Sequence, residues 1–128
     1  MTGLPTRWRT TFEDQLDDAE RRVAQAEGFL ASEDGSRALQ EAYRAVVAAA
    51  TVQVWLASPP WRSVLSAPEM QRRVREAFPN QFAVFTSMDM KDVLTSPWPT
   101  PAVTPYVAEA KIFVSRIRGD FKAAVGER

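Results

Sequence analysis

The hydrophobic residues of this 128-residue chain fall into blocks with helical spacing. In the first block they recur in steps of four and three, at Phe12, Leu16, Ala19, Val23, Ala26 and Leu30. Such steps are typical of one face of an amphipathic helix. The capping-box pattern Thr10-x-x-Glu13 predicts that this helix begins near Thr10. Residues 1–9 are then expected to form a flexible arm, with Trp8 either packed back on the domain or free to touch a partner.

The second block, 45–57, is apolar almost throughout, with only Thr51 and Gln53 as interruptions. A helix that is apolar nearly all round must be buried on most sides, and this one is too short to cross a bilayer. Its alanines predict close packing against neighbouring helices. We expect the second helix over 37–57, ending at Ser58-Pro59-Pro60 because proline cannot continue the hydrogen-bond ladder. The short turn SEDGS, with Gly35 for backbone freedom and Asp34 or Ser36 as cap, predicts an antiparallel hairpin with the first helix.

The third block begins with a second capping box, from Ser66 to Glu69. Helical spacing then continues through Met70, Val74, Ala77 and Phe78, until Pro79 breaks or kinks the helix. A further helical segment is expected over roughly 80–94, with Phe82, Phe85 and Met88 on one face. Between these helices, Trp61 and Leu65 in the loop over 58–66 are expected to close one end of the core.

The last block follows a proline-rich connection, SPWPTPAVTP, over 96–105. Trp98 is expected to fold back on the core, although the same composition resembles a polyproline docking ligand. A final helix starts at 104–105 or slightly earlier and places Val107, Ala110, Phe113, Val114, Ile117 and Phe121 on one face, with Gly119 marking a frayed end. The sequence therefore predicts an all-α, antiparallel up-down four-helix bundle, one domain over 10–124. It has five helical segments if the third helix is broken near Pro79.

Composition removes several kinds of chemistry. The chain has no histidine, no cysteine and a formal net charge of zero. Because histidine and cysteine are absent, Ser-His-Asp catalysis, thiol catalysis and the common zinc and di-iron sites are excluded. Asp14 and Asp18 could share a divalent ion, but an acidic face paired as Asp17–Arg21 and Asp18–Arg22 is the favoured interpretation. We expect no metal and no cofactor, and we lean away from an enzyme.

The candidate binding residues are basic or polar. The densest basic cluster is Arg72, Arg73 and Arg75, which could bind phosphate or an acidic partner and could be joined by Arg116 and Arg118. Glu69 and Glu76 lie one turn from these arginines and offer local pairing instead. A third possibility is a polar cleft beside the central helix, lined by Glu41, Tyr43 and Arg44. Arg118-Gly119-Asp120 is read as a chance tripeptide.

The central helix also carries a family resemblance. The run ALQEAYRAVVAAATVQVWLAS, over 38–58, resembles the second long helix of the HEPN superfamily, which often has an A-x(3)-AY-x-A pattern after an acidic turn. AQAEGFLASEDG and AEAKIFVSRI resemble the end of the first HEPN helix and the closing helix. Some HEPN proteins are RNases that use an Arg-x(4–6)-His motif at a dimer interface, and others are non-catalytic partners of nucleotidyltransferases or accessory domains. Since this chain lacks histidine, the resemblance implies the non-catalytic side, with homodimers common.

The leading functional hypothesis is thus a non-catalytic HEPN-like module that binds a protein partner or itself. The alternatives are a nucleic-acid or nucleotide-binding accessory protein and an enzyme without histidine. No membrane association is expected. The absence of a visible signal peptide and of cysteine favours the cytoplasm, and thirteen arginines against three lysines are typical of a GC-rich bacterial genome.

Overall fold

A computed structural model describes residues 5–82 and 96–126. Within them lie four helices: α1 (Thr6–Ala31), α2 (Gly35–Ala57), α3 (Ala67–Glu76) and α4 (Thr100–Val125). They run up, down, up and down, and the predicted all-α four-helix bundle is confirmed. Helix α2 packs against each of the other three, and α1 also packs against α4. The second helix is therefore the centre of the domain, as its apolar sequence predicts.

The start of α1 differs from the sequence prediction. The helix begins at Thr6, after Pro5, and no side chain caps it. Thr10 lies inside the helix, where its hydroxyl donates to the Thr6 carbonyl over 3.5 Å, so the predicted capping box is wrong. The extra turn places the Trp8 ring against Trp55 and Trp61, with centroids 6.5 and 6.0 Å away. This aromatic packing explains why the helix extends beyond its polar start; residues 1–4 of the expected arm lie outside the described residues.

The turn between α1 and α2 confirms the predicted hairpin and corrects the role of its glycine. Asp34 accepts a hydrogen bond from the Arg37 amide and caps α2. The residue with positive φ is Glu33, at 59°. Gly35 is needed for space, because a Cβ there would overlap the carbonyl oxygen of Trp98. The Ser36 hydroxyl accepts from the Trp98 amide (3.1 Å) and donates to the Ser96 carbonyl (3.2 Å).

Helix α3 follows the predicted signals at both ends. The Ser66 hydroxyl accepts a hydrogen bond from the Glu69 amide, and the helix ends at Glu76, shortly before Pro79. Phe82 is completely buried and meets Tyr106 edge-on at 5.4 Å. The rest of the predicted segment over 80–94, with Phe85 and Met88, lies outside the described residues.

Helix α4 begins at Thr100, four residues before Thr104, and includes Pro105 in its interior. All six predicted apolar positions of this helix are buried. Gly119 lies within the helix, so the frayed end predicted there is wrong; the left-handed residue that ends the helix is Gly126. Trp98, just before α4, is half-buried against the core and confirms the predicted anchor.

Ion pairs join α1 to α4 along one side of the bundle. Arg118 donates to both carboxylate oxygens of Glu20, at 2.8 and 3.0 Å, and to Asp17 at 2.6 Å. Lys111 contacts Glu27 at 3.2 Å. Asp17 thus pairs across helices with Arg118, whereas the predicted pair was Asp17–Arg21. The predicted Asp18–Arg22 pair forms at 2.9 Å.

Candidate functional site

An open groove lies between α2 and α3, with a volume of about 470 Å³. Its first wall is a row of α2 residues spaced four apart: Tyr43, Val47, Thr51 and Trp55. Its second wall comes from α3 and the turn after it: Met70, Gln71, Val74, Arg75 and Phe78. We call this feature the α2–α3 groove. Among the four helices, α3 packs mainly on α2, which leaves the far side of this groove uncovered by α1 and α4.

The polar end of the α2–α3 groove combines Tyr43 and Arg75. The Tyr43 ring packs edge-on against Phe78, with centroids 5.8 Å apart. Burial raises the pKa of the Tyr43 hydroxyl, and the positive charge of Arg75 opposes this rise. The phenol therefore stays neutral at physiological pH, and Arg75 gives this end of the groove its positive charge. None of the lining residues in the described part of the chain is acidic.

The apolar end of the groove rests on an aromatic cluster. Trp55 stacks on the buried Phe12 ring, with centroids 5.1 Å apart and planes 20° from parallel. Trp61 also packs against Phe12, at 6.0 Å, and this packing confirms the expectation that the loop closes one end of the core. Because Trp55 contacts the core on one side and the groove on the other, its position is fixed by residues that do not line the groove.

The three arginines of α3 have different surroundings. Arg72 contacts Glu76 at 2.9 Å and also pairs with Glu69. Arg73 contacts Glu69 at 2.9 Å and donates to the Ser58 hydroxyl at the end of α2. Hydrogen bonds from Arg72 and Arg73 lower the pKa of Glu69. In contrast, Arg75 forms no ion pair with any residue that the structure describes, so its charge is the one available to the groove.

The remaining candidate residues do not share a site with Arg75. Arg44 is more than half exposed and lies 4.0 Å from Glu41. Arg116 covers the Phe113 ring at 5.0 Å on α4. Arg118 is held by α1, and its hydrogen bonds to Glu20 and Asp17 outweigh burial and raise its pKa. The Arg118-Gly119-Asp120 tripeptide is thus helical, with its arginine engaged.

The expected polar cleft of Glu41, Tyr43 and Arg44 is divided between two sides of α2. Glu41 accepts a hydrogen bond from Arg22 of α1 at 3.0 Å, whereas Tyr43 lines the groove beside α3. The acidic face of α1 is likewise engaged, since Asp18 pairs with both Arg21 and Arg22. Over residues 5–82 and 96–126, no group of three or more acidic side chains is arranged to hold a metal ion.

Tyr43 and Arg75 were both candidates from the sequence, but they were assigned to two different sites. Arg75 was grouped with Arg72 and Arg73, whereas the structure places it with Met70 and Val74 in the wall of the groove. The row at 43, 47, 51 and 55 was readable as one face of a helix. The wall opposite depends on how α3 lies on α2, which no local pattern determines.

A second depression lies where the turn over 32–36 meets residues 97–99. Its walls are a tight turn and a proline-rich strap, and Ser36 is already engaged with Ser96 and Trp98. The α2–α3 groove is the better candidate for binding, because it combines apolar walls with the positive charge of Arg75.

No helix in the described parts of the chain is long and apolar enough to span a membrane. Comparison of the chain with protein-family models, with curated proteins and with solved structures finds no match in any of the three.

Proposed function

We propose that this chain is a non-catalytic helical interaction module that binds a partner protein in the α2–α3 groove. The observation that carries the proposal is a groove that α1 and α4 leave uncovered and that combines apolar side chains with the positive charge of Arg75. Protein interfaces are commonly enriched in aromatic residues, methionine and arginine. Trp55, Phe78 and Arg75 supply these groups here.

The sequence supports the same function in a second way. The HEPN-like pattern of α2, together with a chain that contains no histidine, fits a member of that superfamily that acts as an accessory subunit. Catalysis by a HEPN-type RNase requires the histidine that this chain lacks. We propose the bacterial cytoplasm as its compartment, in keeping with the absence of cysteine.

The nucleic-acid alternative has weaker support. Arg72 and Arg73 are engaged with Glu69 and Glu76, and the net charge of the chain is zero. Nucleic-acid binding would need these arginines to leave their carboxylates for phosphates. A protein partner that uses the apolar walls and Arg75 leaves every one of these pairs intact.

Photo-cross-linking in the cells that express the protein tests the proposal. A benzophenone amino acid replaces Val47 in the groove, and in the matched control it replaces Ile112, which is 71% exposed on α4. We expect a protein adduct at position 47 that is absent at position 112 and is lost when Met70→Glu is added. Circular dichroism of each variant checks that the helices remain. Adducts that are the same at both positions, or adducts with nucleic acid alone, would contradict the proposal.

A further inference from the structure

The α2–α3 groove has a shape into which another helix could pack. The α2 wall is a single row of residues four apart, and Met70, Val74 and Phe78 form a second such row on α3. Rows of this spacing are the ridges between which the side chains of a packing helix insert. From Tyr43 to Trp55 the α2 wall is about 18 Å long, or roughly three helical turns. A small ligand would fill only part of this length.

The positive charge of Arg75 favours binding of helices that carry an acidic residue at the facing position. Among the lining residues that the structure describes, Arg75 is the single charged one, and it lies beside the Tyr43 phenol at one end. A carboxylate on the bound helix could take a charge-assisted hydrogen bond from this guanidinium. A lysine or arginine at the same position would face Arg75 with no acid among the described wall residues to compensate it, and repulsion of this kind contributes to specificity.

From these two features we infer that the occupant of the α2–α3 groove is an amphipathic helix of a partner protein, whose carboxylate pairs with Arg75. Its apolar face, with residues at i, i+4 and i+7, fills the space between Val47, Trp55 and Met70. The acidic residue lies about two to three turns from the residue that contacts Trp55. This inference rests on the proposed function and specifies the chemistry of its partner.

Synthetic helical peptides test the inference directly. Each peptide of about 18 residues carries leucines at i, i+4 and i+7, with one position aligned to Arg75 occupied by Glu, Gln or Lys. Binding is followed by fluorescence anisotropy of a peptide label. We expect the Glu peptide to bind about tenfold more tightly than the Gln peptide, and the Lys peptide to bind most weakly.

Variants of the protein locate the charge effect. Arg75→Gln should remove the roughly tenfold preference for Glu over Gln and leave binding of the Gln peptide nearly unchanged. Arg75→Glu should invert the preference, so that the Lys peptide binds best. Arg72→Gln is the matched control on the same helix, because Arg72 pairs with Glu69 and Glu76 and does not line the groove. It should leave the preference intact.

The possible failures are distinguishable. Equal binding of the three peptides, or no binding at millimolar concentration, overturns the inference. Binding of dodecanoate that depends on Arg75, without peptide binding, shows that the groove holds a small apolar carboxylate. Groove-specific cross-links together with peptide failure leave the proposed function standing and reject only the helix. Loss of the groove-specific cross-links rejects both proposals.

Discussion

The two sides of α2 differ in the size and the burial of their side chains. On the side towards α1 and α4, Ala42, Ala45 and Ala49 are completely buried, and the small side chains let the helix backbones approach closely. On the side towards α3, Tyr43, Val47 and Trp55 are larger and only partly buried. The first side has side chains that fill the available space. The second keeps space open between bulky side chains, as a binding surface requires.

The largest expected contrast comes from truncating one large apolar side chain on each side. Phe12→Ala removes a fully buried ring that stacks on Trp55, and we expect it to lower the free energy of unfolding by about 3–5 kcal/mol. Met70→Ala, in the wall of the groove, should cost less than about 2 kcal/mol because Met70 is already partly exposed. Urea denaturation followed by circular dichroism measures both. Equal losses would mean that the groove wall belongs to the core.

Enlarging a side chain tests the same comparison in the opposite direction. Ala49 and Val47 lie on opposite sides of α2, since two residues span more than half a turn. Ala49→Leu should overpack the contact with the neighbouring helices and cost about 1–3 kcal/mol. Val47→Leu extends into open space and should change stability by less than about 0.5 kcal/mol. Thermal unfolding of the two variants provides the test, and a neutral Ala49→Leu would show that this face is open.

Two glycines, one at the start of α2 and one within α4, extend the comparison to close approaches of the backbone. Gly35→Ala places a methyl group against the Trp98 carbonyl, a backbone atom that has little freedom to move. We expect a loss of about 1–3 kcal/mol, as for other overpacked sites. Gly119→Ala meets no atom and should gain about 0.5–1 kcal/mol from helix propensity. Chemical denaturation of both variants gives the difference, and a stable Gly35→Ala protein would rule out the close approach.

The smallest effect concerns the ionisation of Tyr43. Burial raises its pKa above the ordinary value of about 10. The unfolded chain therefore loses this proton at lower pH than the folded one, so the contribution of Tyr43 to stability is complete below pH 10 and declines as pH rises through the folded pKa. Tyr43→Phe should flatten the fall in stability above pH 10. Denaturation at several alkaline pH values compares it with Tyr106→Phe, and an identical fall in Tyr43→Phe and wild type would contradict the burial of this hydroxyl.

Much of the fold was accessible from the sequence because it depends on local patterns. The apolar faces of α1 and α4, the Asp34 cap and the Ser66 cap all follow from spacing within one helix or turn. The predictions of the start of α1 and of the role of Gly35 were wrong because contacts with residues far along the chain determine both. Trp8 extends α1 because it meets Trp55 and Trp61, and Gly35 is required because Trp98 lies against it.

The candidate site was harder to predict for the same reason. Tyr43 and Arg75 could each be named as polar residues on helices, but their proximity depends on the angle at which α3 crosses α2. The pairing of Arg118 with Asp17 and Glu20 likewise joins residues about a hundred positions apart. Charge patterns within a helix favoured Arg21 as the partner of Asp17, since they contain no information on neighbouring helices.

The contact between Gly35 and Trp98 also bears on the order of folding. The hairpin of α1 and α2 closes a loop of only a few residues, whereas the hydrogen bonds of Ser36 to Ser96 and Trp98 close one of about sixty. Closing the longer loop costs more chain entropy, so we expect this strap to form after the main barrier to folding. Substitutions there should then accelerate unfolding and leave the folding rate nearly unchanged. We therefore expect the strap to contribute to how long the native bundle persists once formed.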